Sequence, residues 1–231
     1  MMGKMLRLNR LRKLIALTKN QEPANIKKYI NILNKENNNL KLKSKLINLN
    51  DVKNWKQDNK GNIFHESGQF FSIQGVRTSS AFGREVSSWD QPIYNQRHGG
   101  ILAIVAKITK HEGVKFLLRI KAEPGDDGKM KFCPTFQATI SNIKQAHGGK
   151  KPPFYNEIIN KKNTQLIYST THFEEGARFW KKINQNSIFL ANKNFKNSYH
   201  DFYWLSLTEI KKLSLKKNII NPFVKTILFM I

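Results

Sequence analysis

A single cysteine, Cys133, occurs in the sequence, which excludes an internal disulfide framework and a metal site made from several cysteines. One free thiol suits a reducing compartment, and we expect a cytoplasmic protein. No run of about 18 apolar residues occurs, so neither a membrane span nor a membrane partner is expected. The N-terminal 20 residues are basic with scattered apolar side chains, and without a continuous apolar segment they are not predicted to be a signal peptide.

Acidic residues are also few, with 16 Asp and Glu against 40 Lys and Arg and a net charge of +24. Such an excess is typical of proteins that bind polyanions. The lysines, however, are spread along the chain among many asparagines. They do not alternate with aromatic residues as a groove for single-stranded nucleic acid requires. Nucleic-acid binding is therefore the weaker alternative.

Several catalytic signatures are missing. The sequence has no GxGxxG, GxxxxGK[ST] or GxSxG motif, and it has neither HExxH nor two histidines four residues apart. These absences argue against dinucleotide folds, P-loop enzymes, nucleophile-elbow hydrolases and a catalytic metal. We expect no cofactor, so any chemistry must come from side chains.

The chain divides into two predicted parts. Residues 1–50 carry 12 Lys and Arg against 2 Asp and Glu, and apolar residues recur there at helical spacing. Two helices separated at Glu22–Pro23 are predicted, forming a basic arm that either packs against the rest of the chain or mediates dimerisation. Residues 51–231 consist of short β-like runs separated by glycine-containing turns.

In this second part we predict both strands and helices. Strands are expected at 70–77, 101–108, 114–123, 130–141 and 165–170. Helices are expected at 174–186 and 206–218, the second capped by Ser206 or Thr208, with Glu209 completing a capping box with Ser206. The simplest architecture is an α+β domain, a mixed sheet with helices packed against it.

The turn EPGDDG, at 123–128, predicts a β-hairpin with a polar face. Residues two apart in a strand share a face, so Lys121 and Glu123 project together. Gln137 and Ser141 add hydrogen-bonding groups from the other arm. That face either meets bulk water or lines a binding site, and the pattern alone favours a solvated Lys–Glu pair.

Seven ordered segments carry a family resemblance. Besides Trp55, they are GNIFHESGQFFSIQGV (61–76), WDQPIYNQRHGGILAIV (89–105), KAEPGDDG (121–128), PTFQATISN (134–142), EEGARFWKKINQN (174–186), FYWLSLTEIKKL (202–213) and NIINPFVKTIL (218–228). Their order and spacing over 52–228 resemble the NDP-hexose 2,3-dehydratases of deoxysugar pathways.

The resemblance implies a fold, a substrate and a reaction. It implies a Nudix-like module, usually present twice per chain; one copy fits here, so a homodimer is expected. The implied substrate is a nucleoside-diphosphate 4-keto-6-deoxyhexose of the dTDP type. Water is eliminated across C2 and C3 without a cofactor or metal, giving a 3,4-diketo-2,6-dideoxy sugar that a partner ketoreductase reduces. The Nudix pyrophosphatase helix REx₂EExG is absent, so pyrophosphate hydrolysis is not expected.

The resemblance also implies the site residues. The candidates for acid–base catalysis are Lys121, Glu123, His65 and Glu175. Tryptophan platforms for the nucleobase are Trp55, Trp89 and Trp204, and Arg178 suits the diphosphate. Further substrate contacts are assigned to Gln91, Gln96, Gln137, Ser141, Asn142, Asn184 and Lys225. Each has a structural alternative: His65 can be a packed histidine, Arg178 can pair within a helix with Glu175, and the tryptophans can be core residues.

The sequence departs from the family pattern in and around three of these motifs. QATISNI has Ile140 and Ile143 where relatives often have Arg and Tyr. NPFVKT has Phe223 in place of an acid and Lys225 in place of an arginine, and FEEG has Phe173 in place of a serine. Three outcomes are open: the standard dehydration, a different nucleotide sugar, or a non-catalytic binding homologue or subunit.

Overall fold

A computed structural model of the protein describes residues 2–18, 24–80, 83, 85–96, 98–109, 113–126 and 128–231, with the backbone alone for 2–6 and 18. Its helices are α1 (Met2–Thr18), α2 (Ile26–Asn38), α3 (Ile140–Ile143), α4 (Tyr155–Ile158), α5 (Leu207–Ser214) and α6 (Pro222–Leu228). Its strands are β1 (Trp55–Gln57), β2 (Ile63–His65), β3 (Ser72–Ser79), β4 (Ser88–Asn95), β5 (Gly100–Thr109), β6 (Gly113–Lys121), β7 (Lys131–Cys133), β8 (Phe136–Thr139), β9 (Thr164–Phe173), β10 (Ile183–Ala191) and β11 (Phe202–Ser206).

The strands form two sheets. β1 to β4 make a four-stranded antiparallel sheet in chain order. The seven-stranded sheet has the order β11-β6-β5-β10-β9, with β7 added to β6 and β8 added to β5. Its β5–β10 pair is parallel and its other pairs are antiparallel. The predicted α+β class, with a mixed sheet, packed helices and N-terminal helices, is confirmed.

The two N-terminal helices pack on the seven-stranded sheet. Leu11 of α1 and Tyr29 and Leu33 of α2 are buried in one cluster with residues of β5, β6 and β10. The Tyr29 hydroxyl donates to the Trp204 carbonyl of β11 at 2.8 Å. Both predicted helices are confirmed, while the predicted break at Glu22–Pro23 lies outside the described residues. The boundary at residue 50 stays a prediction. No helix in the described ranges is long and apolar enough to cross a membrane.

The predicted hairpin is only partly formed, since β7 pairs with β6 but β8 pairs with β5. Pro134 stands between β7 and β8 and has no N–H for a ladder hydrogen bond. The Thr135 hydroxyl fills the gap, because it accepts the N–H of Val105 in β5 at 2.9 Å and donates to the Leu117 carbonyl of β6. The predicted strand over 130–141 is therefore two short strands, and Ile140 begins the helical turn α3.

The predicted helix over 174–186 is wrong. Residues 174–182 are a turn segment, and Ile183 begins β10, which lies between β5 and β9. Lys181 has a φ of 50°, which ends any helical run. Acids at the start and lysines toward the end of this segment match the charge distribution typical of a helix. Its structure is instead determined by the pairing of β10 with β5 and β9.

The helix predicted over 206–218 is confirmed in a shorter form, α5, together with its cap. The Ser206 hydroxyl accepts the N–H of Glu209 at 3.2 Å, and the Glu209 carboxylate accepts the N–H of Ser206 at 2.8 Å. Glu209 is buried and also lies 3.9 Å from Lys115 Nζ. Through Glu209, the cap thus also holds α5 against Lys115 of β6.

Ser206→Ala is expected to lower the free energy of unfolding by about 1 kcal/mol, because one backbone N–H of the first turn loses its acceptor. Urea-induced unfolding followed by circular dichroism measures the change. Thr208→Ala is the matched control, since Thr208 is the second residue of the helix and not its N-cap. Equal losses for the two variants would contradict the assignment of the cap.

Candidate functional site

A cavity of about 620 Å³ lies between the four-stranded sheet and α3. This volume is within the range of roughly 300–1,000 Å³ typical of small-molecule sites. Phe64, Phe70 and Phe71 contribute aromatic surface, and Lys144 contributes a positive charge. Three predicted site residues also line it: His65, Gln96 and Ser141. The structure therefore brings together residues from segments about 75 positions apart in the chain, which suits a polar ligand with one flat apolar part.

His65 is held in one orientation at the wall of the cavity. Its Nδ1 accepts the N–H of Ser67 at 3.2 Å and lies 2.8 Å from the Ser67 hydroxyl. An Nδ1 that accepts places the proton of the neutral ring on Nε2. Phe70 and Trp55 pack edge-on against the ring, with centroids 4.7 and 5.7 Å away. Trp55 is therefore a packing partner of His65, and its predicted role as a nucleobase platform stays a prediction.

Most of the cavity lining was missed from the sequence, including Lys144 and two amide residues. Gln74 of β3 and Asn95 of β4 line the cavity, and Asn95 Nδ2 donates to Gln74 Oε1 at 2.7 Å. The sequence signal for both was their position inside segments of the family motif. Only the pairing of Ser72 with Asn95 shows that the two amides meet.

The polar end of the predicted hairpin forms a compact charged cluster of Lys121, Glu123 and Gln137. Lys121 Nζ and Gln137 Nε2 both contact Glu123 Oε1, at 2.8 and 2.9 Å. Among the described residues Oε2 of Glu123 has no hydrogen-bond partner. Asp126 fixes the turn, because it accepts the N–H of Glu123 at 3.2 Å and lies 2.6 Å from Lys131 Nζ; Asp127 lies outside the described residues. The predicted juxtaposition of these groups is present, although their catalytic role stays a prediction.

Two residues of β6 that alternate in step with Lys121 are not open to solvent. Lys115 and Leu117 are buried, the former beside Glu209 and the latter among apolar side chains. Cys133 lies under the cluster at 1% exposure, and burial raises the pKa of its thiol to about 12. It is therefore a packed apolar residue and not a nucleophile at neutral pH.

Short contacts connect the charged cluster with the cavity. Gln137 and Thr139 are two residues apart in β8 and project to the same face. The Thr139 hydroxyl lies 3.0 Å from the Ser141 hydroxyl, and Ser141 lines the cavity. Asn142 belongs to the same turn, where its backbone N–H donates to Thr139 at 3.3 Å. The cluster and the cavity are thus linked through β8 and α3, although Lys121, Glu123 and Gln137 do not line the cavity themselves.

Four further predicted residues lie together, but at a second depression of about 460 Å³. Gln91, Glu175 and Arg178 line it beside Ile73, which faces away from the first cavity because it alternates with Ser72 and Gln74. Trp89 Nε1 donates to Gln91, whose own amide donates to the Ala177 carbonyl. Arg178 and Glu175 form an exposed ion pair at 3.4 Å. Arg178 thus forms the local ion pair with Glu175 that was the structural alternative to phosphate binding. Phosphate binding by Arg178 stays a prediction.

The remaining three predicted residues lie apart from the cavity lining. Asn184 is buried, with Oδ1 accepting the N–H of Gly100 at 2.8 Å and Nδ2 donating to Glu174. The Trp204 ring packs against Phe195 and beneath Lys107. Lys225 is exposed on α6. No group of three or more His, Cys, Asp or Glu side chains arranged to hold a metal ion was found in the described part of the chain.

The mixed sheet with its packed helices defines an α+β protein, and the aromatic and polar cavity with the neighbouring Lys–Glu–Gln cluster is its candidate small-molecule site. Sequence comparison gives the particular family. The family model described as NDP-hexose 2,3-dehydratase matches residues 26–231. The chain belongs to the NDP-hexose 2,3-dehydratase family, and the resemblance found in the motifs is confirmed.

Curated relatives carry the same description. The chain is 34% identical over 176 residues to a dTDP-4-dehydro-6-deoxy-alpha-D-glucopyranose 2,3-dehydratase of Saccharopolyspora spinosa, covering 75% of this chain and 35% of that protein. A protein of the same name from Amycolatopsis orientalis is 32% identical over 179 residues, covering 75% and 37%. The chain thus spans little more than a third of the length of these relatives.

Two solved structures align with the chain at a distance. A C. elegans Ap4A hydrolase is 12% identical and covers 58% of this chain and 94% of that chain, with a TM-score of 0.36. The M. smegmatis Nudix hydrolase RenU is 10% identical and covers 56% and 84%, with a TM-score of 0.38. At such low scores the alignments carry no argument, and the α+β architecture rests on the strand pairing.

Proposed function

We propose that the protein is a nucleotide-sugar 2,3-dehydratase acting on an NDP-4-keto-6-deoxyhexose of the dTDP type. Family membership and the names of the relatives support this function. The observation that carries it is the contact of both Lys121 and Gln137 with Glu123, in a chain that also has a cavity of the right size lined by Ser141. A base beside a cation and a neutral hydrogen-bond donor is what elimination next to a ketone requires.

In the proposed reaction Glu123 removes the proton from C3, which the neighbouring C4 ketone makes acidic. The ammonium of Lys121 stabilises the negative charge that develops on the C4 oxygen. The C2–O bond then breaks as the C2=C3 double bond forms, and the departing hydroxide takes up a proton from the now protonated Glu123 and leaves as water. The resulting 3-enol rearranges to the 3,4-diketo-2,6-dideoxy sugar. His65 is the alternative acid, since its position at the cavity wall leaves Nε2 as the proton carrier.

The cavity is proposed to hold the nucleotide. Phe64 and Phe70 offer apolar surface to a base, and Lys144 offers charge to the diphosphate. Gln96 and Ser141 supply hydrogen bonds to the sugar side.

A homodimer, a partner ketoreductase and a cytoplasmic location belong to the same proposal, and sedimentation analysis tests the dimer. The chain, in this view, is a Nudix-like domain over 51–231 with a basic helical arm over 1–50.

The second candidate is a non-catalytic nucleotide-sugar-binding homologue. It is favoured by Ile140, which lines the cavity where relatives often carry an arginine. An apolar side chain there neither binds an anion nor transfers a proton, so a bound sugar can lack a group needed for turnover.

Incubation with dTDP-4-keto-6-deoxyglucose in D₂O tests the proposal. Reversible removal of the C3 proton is expected to place deuterium at C3 of the remaining substrate, and dehydration is expected to release dTDP from the unreduced diketo product. Binding without exchange or release would favour the second candidate. Thermal stabilisation by an oligonucleotide and by no nucleotide sugar would favour the nucleic-acid-binding alternative; a ligand at about 100 times its Kd adds about 2.7 kcal/mol to stability.

A further inference from the structure

The side chains of Gln74 and Asn95 form a polar wall of the cavity between the four-stranded sheet and α3. Asn95 pairs with Ser72, and Ser72 pairs with Phe64, so these three residues lie in one row across β4, β3 and β2. Paired residues of adjacent strands project to the same face, and Gln74, two positions after Ser72, shares that face. All four line the cavity. This face thus carries the Phe64 ring on β2, the short Ser72 side chain on β3 and the two amides beside it.

The contact between the two amides leaves one hydrogen-bonding group of each side chain unused. Asn95 Nδ2 donates to Gln74 Oε1 at 2.7 Å. Within the described ranges, Asn95 Oδ1 and Gln74 Nε2 have no hydrogen-bond partner. Both side chains are half-buried and line the cavity, and neither of the two unpaired atoms is fully enclosed. The pair therefore presents an acceptor next to a donor at the surface of the cavity.

The imide edge of a pyrimidine base has the complementary pattern. In thymine and uracil the N3–H group, a donor, stands directly beside the C4 carbonyl, an acceptor. Asn95 Oδ1 can accept from N3–H while Gln74 Nε2 donates to the C4 oxygen, which gives both unused groups a partner. Phe64, across Ser72 from Asn95, offers apolar surface to the same ring. A few placed polar groups in an otherwise aromatic wall are the usual means of orienting a small ligand.

We propose that Gln74 and Asn95 bind the polar edge of the nucleobase, with Asn95 Oδ1 accepting from N3–H of thymine or uracil and Gln74 Nε2 donating to its C4 carbonyl. The inference rests on the proposed function and adds to it the residues that recognise the base. The described lining of the cavity contains Lys144 and no Asp or Glu, so a nucleoside diphosphate meets no carboxylate there. With the base at the β3–β4 wall, Lys144 at the end of α3 is left for the diphosphate.

Calorimetric titration of the full-length chain with dTDP and with its N3-methyl analogue tests the inference. Methylation removes the N3–H donor and keeps the ribosyl group, the diphosphate and both base carbonyls. The wild-type chain is expected to bind the analogue about tenfold more weakly than dTDP, the loss of one hydrogen bond to a placed acceptor. Asn95→Ala is expected to bind dTDP about tenfold more weakly than the wild-type chain and to lose the preference for dTDP over the analogue.

Two further variants of Asn95 complete the design. Asn95→Asp keeps an acceptor at this position and should retain the preference for dTDP, although its charge lowers the affinity for both diphosphates. Because each variant is judged by the ratio of the two affinities, this charge effect cancels. Asn95→Leu removes the same acceptor and replaces the Ala variant if that variant does not fold.

Gln69→Ala is the matched control, since it removes another amide from the cavity lining that is not part of the pair. It should keep the wild-type preference for dTDP. Equal affinity of the wild-type chain for dTDP and the analogue would overturn the inference and leave the proposed function standing. A preference that persists in Asn95→Ala, or disappears in Asn95→Asp, would overturn it as well. If the wild-type chain binds neither ligand, the proposed function fails and this inference fails with it.

Discussion

Glu123→Gln is expected to lower the rate of dehydration by about 10²- to 10⁴-fold, the usual contribution of a positioned general base. The amide keeps the size of the side chain and a contact to Gln137, but it cannot accept the C3 proton. Because the step that removes this proton fails, C3 exchange in D₂O should fall by the same factor as nucleotide release. The affinity for dTDP-glucose should change much less than the rate, since the nucleotide is held in the cavity by other residues.

Two companion variants define what the Glu123 result means. Glu157→Gln makes the same chemical change on α4, outside the cluster, and should leave turnover intact. Lys121→Ala removes the charge 2.8 Å from Glu123 and should lower turnover as well, because the enolate loses its counter-charge. Full turnover in both Glu123→Gln and Lys121→Ala would show that the cluster is scaffold. His65→Gln would then be the variant to measure next.

Gly99→Ala is expected to destabilise the fold strongly. A Cβ at this position would lie 1.6 Å from the carbonyl oxygen of Ile183, a backbone atom at the start of β10 that no side-chain rotation can move. Relief requires separating the start of β5 from β10, the parallel pair in the middle of the sheet. We expect a loss of at least about 3 kcal/mol, at the upper end for an overpacked core. That corresponds to a fall in Tm of roughly 6–12 °C for a chain of this size.

Graded controls are available for this prediction. Gly100→Ala should have a smaller effect, since its Cβ would meet the Ala138 carbonyl oxygen at 3.1 Å. Gly176→Ala should be neutral, because no heavy atom lies within 4 Å of the added carbon. Thermal unfolding of the three variants gives the order. Wild-type stability of Gly99→Ala would show that the two strands do not approach as closely as the structure has them.

Much of the local structure could be predicted from the sequence. Helical spacing of Leu8 and Leu11 indicated α1, and Ser206 with Glu209 indicated the start of α5. A short apolar β-like run in 101–108 and alternation in 114–123 indicated β5 and β6. These signals are local, because a cap or an alternating face depends on neighbours a few positions away. The same pattern placed Lys121, Glu123 and Gln137 on one polar face, and the structure confirms that they are in contact.

Other features depended on partners distant in the chain. The acids and lysines of 174–186 suggested a helix, whereas the pairing of β10 between β5 and β9 made Ile183–Ala191 a strand. The tryptophans could not be assigned from the sequence, since a ring that packs in the core and one that stacks on a base have the same pattern. The structure places Trp55 against His65 and Trp204 against Phe195, which local spacing cannot reveal.

By itself the sequence determined the family and the α+β class, and it predicted which polar residues gather at the hairpin end, because ordered motifs and strand alternation are properties of the linear chain. Only the tertiary structure decided which groups meet. It joined His65 with Ser141 across one cavity, turned Gln91 and Arg178 toward a second depression, and brought Gln74 into contact with Asn95. The physical reason is that strand register and the packing of two sheets depend on contacts between residues far apart in sequence, and those contacts fix each side chain's neighbours.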